Sequence, residues 1–141
     1  MVNASVFLRI NKGEFDKLIN EASDITDEAA EKMAENMKQS ILTGAKSGEQ
    51  YYSNGKRHQS SAPGQAPANN TGALVRSIKV KKNRNEATIS IEKDYAVYLE
   101  FGTSKMRPRP FIIPAFLKTK KWFSDKLHRL AYKGTRWVLN H

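Results

Sequence analysis

Apolar residues recur at spacings of three and four from Glu14 to Leu42: Phe15, Leu18, Ile19, Ala22, Ile25, Ala29, Ala30, Met33, Met37 and Ile41. They form one stripe along a helix, with Glu, Lys and Asp on the opposite side. Asp24 or Thr26 suits a fresh helix start, so the pattern also allows a break near Ser23. Gly44 stands where a helix stop belongs. Ahead of this helix, Val6-Phe-Leu-Arg-Ile10 reads as a short strand ended by a turn at Asn11-Lys-Gly13.

A period of two replaces the helical one further on. Ile78 and Val80 alternate with Lys79 and Lys81, and Ala87, Ile89 and Ile91 alternate with Thr88 and Ser90. With Asn83-Arg-Asn85 as the turn, the two runs predict a β-hairpin with one wet face. Thr71 to Ser77 fits one helical turn before it. Tyr95 to Phe101 fits a short helix or an alternating strand, and Gly102 ends either. Pro108 and Pro110 hold Arg109 extended, and Pro114 falls in the first turn of a last helix, where its missing N–H is harmless. That helix runs through Phe116, Leu117, Trp122, Phe123, Leu127 and Leu130 to a stop at Gly134, with Trp137 to Leu139 as a strand or free tail. The predicted class is α+β: a small antiparallel sheet packed against a long N-terminal helix and a C-terminal helix.

Residues 44–70 break this order. Gly, Ser, Asn, Gln and Pro dominate without periodicity, so a long flexible loop is expected, and such loops inside compact domains tend to carry function. This one holds Tyr51, Tyr52, Lys56 and Arg57, candidates for a segment that orders on a partner.

With 141 residues the chain suits one domain, 1–141. No apolar run approaches the roughly 18 residues of a membrane span, and the first ten residues lack the layout of a signal peptide. Cysteine is absent, which excludes disulfides and thiolate metal sites. The net charge of +10 is unevenly spread: residues 1–43 carry 5 Lys/Arg against 8 Asp/Glu, and the remainder is strongly basic. That asymmetry suits an anionic partner, nucleic acid or the acidic part of a neighbouring copy.

Chemistry is sparse. His58, His128 and His141 are far apart, with no acidic partner at metal-ligand spacing. No nucleophile elbow or phosphate loop occurs, and the acidic residues after position 43 are too few and scattered for a two-metal site. No catalysis and no cofactor are expected. The basic strand face (Lys79, Lys81, Lys82, Arg84) and basic helix face (Lys118, Lys120, Lys121, Lys126, Arg129) read as solvated surfaces ahead of a nucleic-acid groove. A basic nucleic-acid-binding protein is the alternative reading.

The densest stretch is Asp94 to Phe116. Glu100 sits there between Leu99 and Phe101, and a carboxylate among apolar groups needs a partner. Arg76 or Arg109 would supply one locally; a neighbouring subunit is the other option. Around it, Tyr95, Phe101, Gly102, Thr103, Pro110, Phe111, Pro114 and Ala115 look like the frame between sheet and last helix. Ser104, Lys105, Met106, Arg107 and Arg109 are left as the docking segment.

Three pieces, Thr71-Gly-Ala-Leu-Val-Arg-Ser-Ile78, Tyr95-Ala-Val-Tyr-Leu-Glu-Phe-Gly-Thr103 and Arg109-Pro-Phe-Ile-Ile-Pro-Ala115, follow the strand and helix of residues 6–18. In this order they resemble the "gene product ten-like" head–tail joining, or tail-completion, family of siphovirus bacteriophages and their prophages, over most of residues 6–132. The resemblance implies a small α+β structural protein without enzymatic activity or cofactor. It implies copies arranged in a ring in the virion neck or the head-proximal tail, with other neck and tail proteins as partners. Assembly in the host cytoplasm, non-specific contact with DNA in the lumen and no membrane contact follow from it. Its motif positions are Tyr95, Glu100, Phe101, Gly102, Thr103, Pro110, Phe111, Pro114 and Ala115, expected to serve fold and subunit packing.

Overall fold

The structure, a computed structural model, describes residues 12–140, with side chains to residue 134. The strand expected at Val6 to Ile10 lies outside the described residues. The first helix, α1 (Lys12–Thr43), begins where the sequence suggests a turn and passes Ser23 without a break. Neither Asp24 nor Thr26 acts as a cap: the Thr26 hydroxyl donates back to the Ala22 carbonyl at 2.9 Å, a bond available only inside a continuous helix. At the other end the Gly44 N–H reaches the Ser40 carbonyl at 3.2 Å, and the chain leaves the helix there.

The expected loop of residues 44–70 contains a hairpin, β1 (Gln50–Ser53) and β2 (Lys56–Gln59), paired from Gln50↔Gln59 to Ser53↔Lys56. Its turn explains why: Asn54 and Gly55 have φ of 53° and 72°. Positive φ at both central residues gives the turn whose twist suits a two-residue hairpin, and Asn-Gly adopts it most readily.

A short helix, α2 (Ala73–Ser77), leads into β3 (Ile78–Asn83) and β4 (Glu86–Ile91), antiparallel from Ile78↔Ile91 to Asn83↔Glu86. The predicted alternation holds, with Val80, Ile89 and Ile91 packed against the core and Lys79, Lys81, Thr88 and Ser90 in water. Tyr95 to Phe101 resolves as a helix, α3 (Ala96–Phe101). The last helix, α4 (Ile112–Asn140), continues past Gly134. That glycine is a packing residue, because a Cβ there would lie 2.8 Å from Leu18 Cδ1 on α1. The α+β class is as predicted, with two separate two-stranded sheets in place of one.

The core joins Ala34, Met37 and Ile41 of α1 to Leu74, Ile78, Ala96, Phe111 and Ala115. Beside it the Asn36 side-chain amide donates to the Thr119 hydroxyl at 3.1 Å, which donates to the Ala115 carbonyl at 2.8 Å. This polar pin between α1 and α4 is fully satisfied, so it fixes helix register without an unpaired buried group. The hairpin tip is tied down as well: the Ser23 hydroxyl donates to the Arg84 carbonyl at 2.6 Å.

Candidate interaction site

Glu100 organises the densest motif, through neither of the cationic partners considered. It is 3% exposed, and its carboxylate accepts the backbone N–H groups of Phe111, Ile112 and Ile113, each at 2.8 Å. The first N–H groups of a helix have no partner within it. A carboxylate there satisfies them and sits at the positive end of the helix dipole. A side chain on α3 thus caps α4, eleven to thirteen residues further along the chain. Both carboxylate oxygens find donors inside one chain, so Glu100 is satisfied without Arg76 or Arg109.

The chain between α3 and α4 is a tight knuckle. Gly102 ends α3 with its N–H on the Tyr98 carbonyl at 2.8 Å and φ of 76°. Thr103 and Met106 then face each other across a turn: the Thr103 N–H donates to the Met106 carbonyl at 2.8 Å, and the Thr103 hydroxyl accepts from Lys105 and Met106 N–H. A Cβ on Gly102 would stand 2.7 Å from the Met106 carbonyl oxygen and 2.8 Å from Pro108 Cδ. Gly102→Ala therefore combines a disfavoured backbone region with a clash against backbone. A loss of about 1–3 kcal/mol is expected in urea unfolding.

Arg109 bonds to main chain. Its N–H reaches the Leu99 carbonyl at 2.6 Å, while Nε and Nη2 donate to the Ser61 carbonyl at 3.3 and 3.2 Å. The Gly64 N–H closes the same contact on the Pro108 carbonyl at 2.9 Å. The segment after the first hairpin is thus stapled to the proline stretch.

The site residues divide by burial. Phe111, wholly buried, and Ala115 belong to the core, and Gly102 and Thr103 shape the knuckle. Pro110 is half-buried and Pro114 exposed in the first turn of α4. Tyr95 and Phe101, assigned to the frame by sequence, face water, Phe101 at 68% exposure. Val97 and Tyr98, which the sequence reading left out, are exposed with them. The run is short enough to fit both a helical and an alternating pattern, so periodicity does not single them out. Ser104, Lys105 and Arg107 are exposed, and Met106 is half-buried. Tyr51, Tyr52, Lys56 and Arg57 all lie exposed on the β1–β2 hairpin, where Tyr51 stacks on His58 at 5.4 Å.

The basic surfaces are partly neutralised. Lys79 pairs with Glu92 at 2.8 Å and Lys82 with Glu31, whose hydrogen bond raises the lysine pKa above its ordinary value. Lys32 and Lys126 sit over the Trp122 ring. Among the described residues no group of histidines and carboxylates is placed to hold a metal ion, and no helix is long and apolar enough to cross a membrane.

The core is satisfied, and Val97, Tyr98 and Phe101 stand exposed on α3 beside the knuckle. Comparison with known families gives a match: residues 12–102 match the bacteriophage HK97-gp10-like tail-component family. The match covers most of the chain, and the protein belongs to this family. It runs from the start of α1 to Gly102. No curated protein and no solved structure matches the chain.

Proposed function

We propose that this chain is a structural subunit of the phage neck or head-proximal tail, which completes the tail or joins it to the head as one member of a ring. Family membership over residues 12–102 carries the reading. The exposed Val97, Tyr98 and Phe101 on α3, whose Glu100 caps α4, support it. Exposed apolar groups on a rigid support are the kind of surface that partners cover. Ser104, Lys105 and Arg107 border that surface. The β1–β2 hairpin, carrying Tyr51, Tyr52, Lys56 and Arg57, offers a second contact with neighbouring tail proteins. The site has no part in catalysis and takes no cofactor. DNA in the lumen meets at most a diffuse positive surface, since Lys79 and Lys82 are already paired.

Deleting the gene tests the reading. Filled heads and separate tails that fail to combine into infectious particles are expected. A normal plaque yield from the deletion would overturn it.

A further inference from the structure

β4 pairs only with β3 among the described strands, so its other edge meets no strand. Between that edge and α4 runs an open trough. Its upper part, about 290 Å³, is lined by Thr26, Ala29 and Met33 of α1, Ala87 and Ile89 of β4, and Phe116 of α4. Its lower part, about 390 Å³, shares Met33 and Ile89 and continues to Met37, Ile91, Val97 and Ile112. The floor is α1, one wall is β4, whose far edge meets no described strand, the other is α4 with α3 at its lower end, and the lining is largely apolar. An open strand edge beside apolar pockets is the arrangement that accepts an added strand.

The size fits a short one. From Thr26 to Met37 is eleven helical steps, about 16 Å, the length of a five-residue strand. The sequence predicts one further strand, Val6 to Ile10, outside the described residues, in which Val6, Leu8 and Ile10 fall on one face and Phe7 and Arg9 on the other. Its own chain cannot lay it in the trough. Val6 is six residues from Lys12, at most about 20 Å of extended chain. Lys12 in turn stands about 21 Å above Thr26 along α1, so in cis Val6 reaches only the mouth.

We propose that the trough receives Val6 to Ile10 of a second copy, added as a strand to the free edge of β4. Val6, Leu8 and Ile10 cover Met33 and Met37, and Phe7 and Arg9 point outward beside Thr88 and Ser90. The strand and the trough are different surfaces, so each copy gives to one neighbour and receives from another, the contact type that closes rings. The inference rests on the self-assembly part of the proposed function and names its contact.

The absence of cysteine makes the test clean. Two single variants are mixed, Arg9→Cys with Thr88→Cys or Ser90→Cys, and oxidised mildly, both as purified full chains and within phage particles. Only a contact between chains can link the two variants. A disulfide joining position 9 to 88 or 90, found by mass spectrometry and lost when Leu8→Asp is added, supports the proposal. No such link in either preparation overturns it, as does an intrachain bond in the Arg9→Cys/Ser90→Cys double variant. Particles that contain the chain but show no link sink this contact and leave the tail role standing. Infectious particles that lack the chain remove the tail role itself.

Discussion

Replacing Glu100 by alanine is expected to cost about 3–5 kcal/mol of unfolding free energy, since each buried N–H stripped of its partner costs about 1–3 kcal/mol. Three donors lose their acceptor together, on Phe111, Ile112 and Ile113. Water replaces part of the loss at the half-buried Ile112 and the exposed Ile113 but is shut out at Phe111. The carboxylate's favourable position at the positive end of α4 disappears as well, a term of up to about 2 kcal/mol in partly buried geometry. Against a total stability of about 5–15 kcal/mol, such a loss leaves little reserve. Glu100→Gln separates the two contributions. Its amide keeps one oxygen for two of the three donors and turns an NH₂ group toward the third, so an intermediate loss is expected. Urea unfolding of both variants measures the order, and equal stability of wild type and Glu100→Ala would refute the cap.

The features legible in the sequence were those written in periodicity. The apolar stripe of α1 and the alternation of β3 and β4 come from residues whose neighbours in space are also near in sequence. Gly134 misleads because its role is a contact: the glycine admits Leu18 from the far end of the fold, and a helix stop leaves the same mark in sequence. The β1–β2 hairpin carried a readable signal in Asn54-Gly55, hidden because its flanking residues are polar on both faces. Glu100 shows the limit more sharply. That an apolar run must supply a carboxylate's partner was legible, but its partner is the start of another helix. Backbone N–H groups leave no trace in residue identity, so a search among Arg and Lys side chains could not find them.

Phe111→Ala tests whether the knuckle and the core stand or fall together. Phe111 is wholly buried, among the largest side chains so enclosed, and packs with Met37, Ile41, Ala96 and Ala115. Truncating a buried Phe to Ala costs about 3–5 kcal/mol, from lost transfer energy and from the cavity left behind. The neighbours are poorly placed to close that cavity. Ala96 and Ala115 carry only a methyl group, too short to reach into it, and α4 is held at its start by Glu100 and further along by the Asn36–Thr119 pin. The upper half of that range is therefore expected. The Phe111 N–H is also one of the three donors to Glu100, so the two residues share a contact and their effects should not add. A double variant Glu100→Ala/Phe111→Ala is expected to lose less than the sum of the single losses, because once the cap is gone the start of α4 is free to settle over the empty space. Strict additivity in urea unfolding would mean that cap and core act independently.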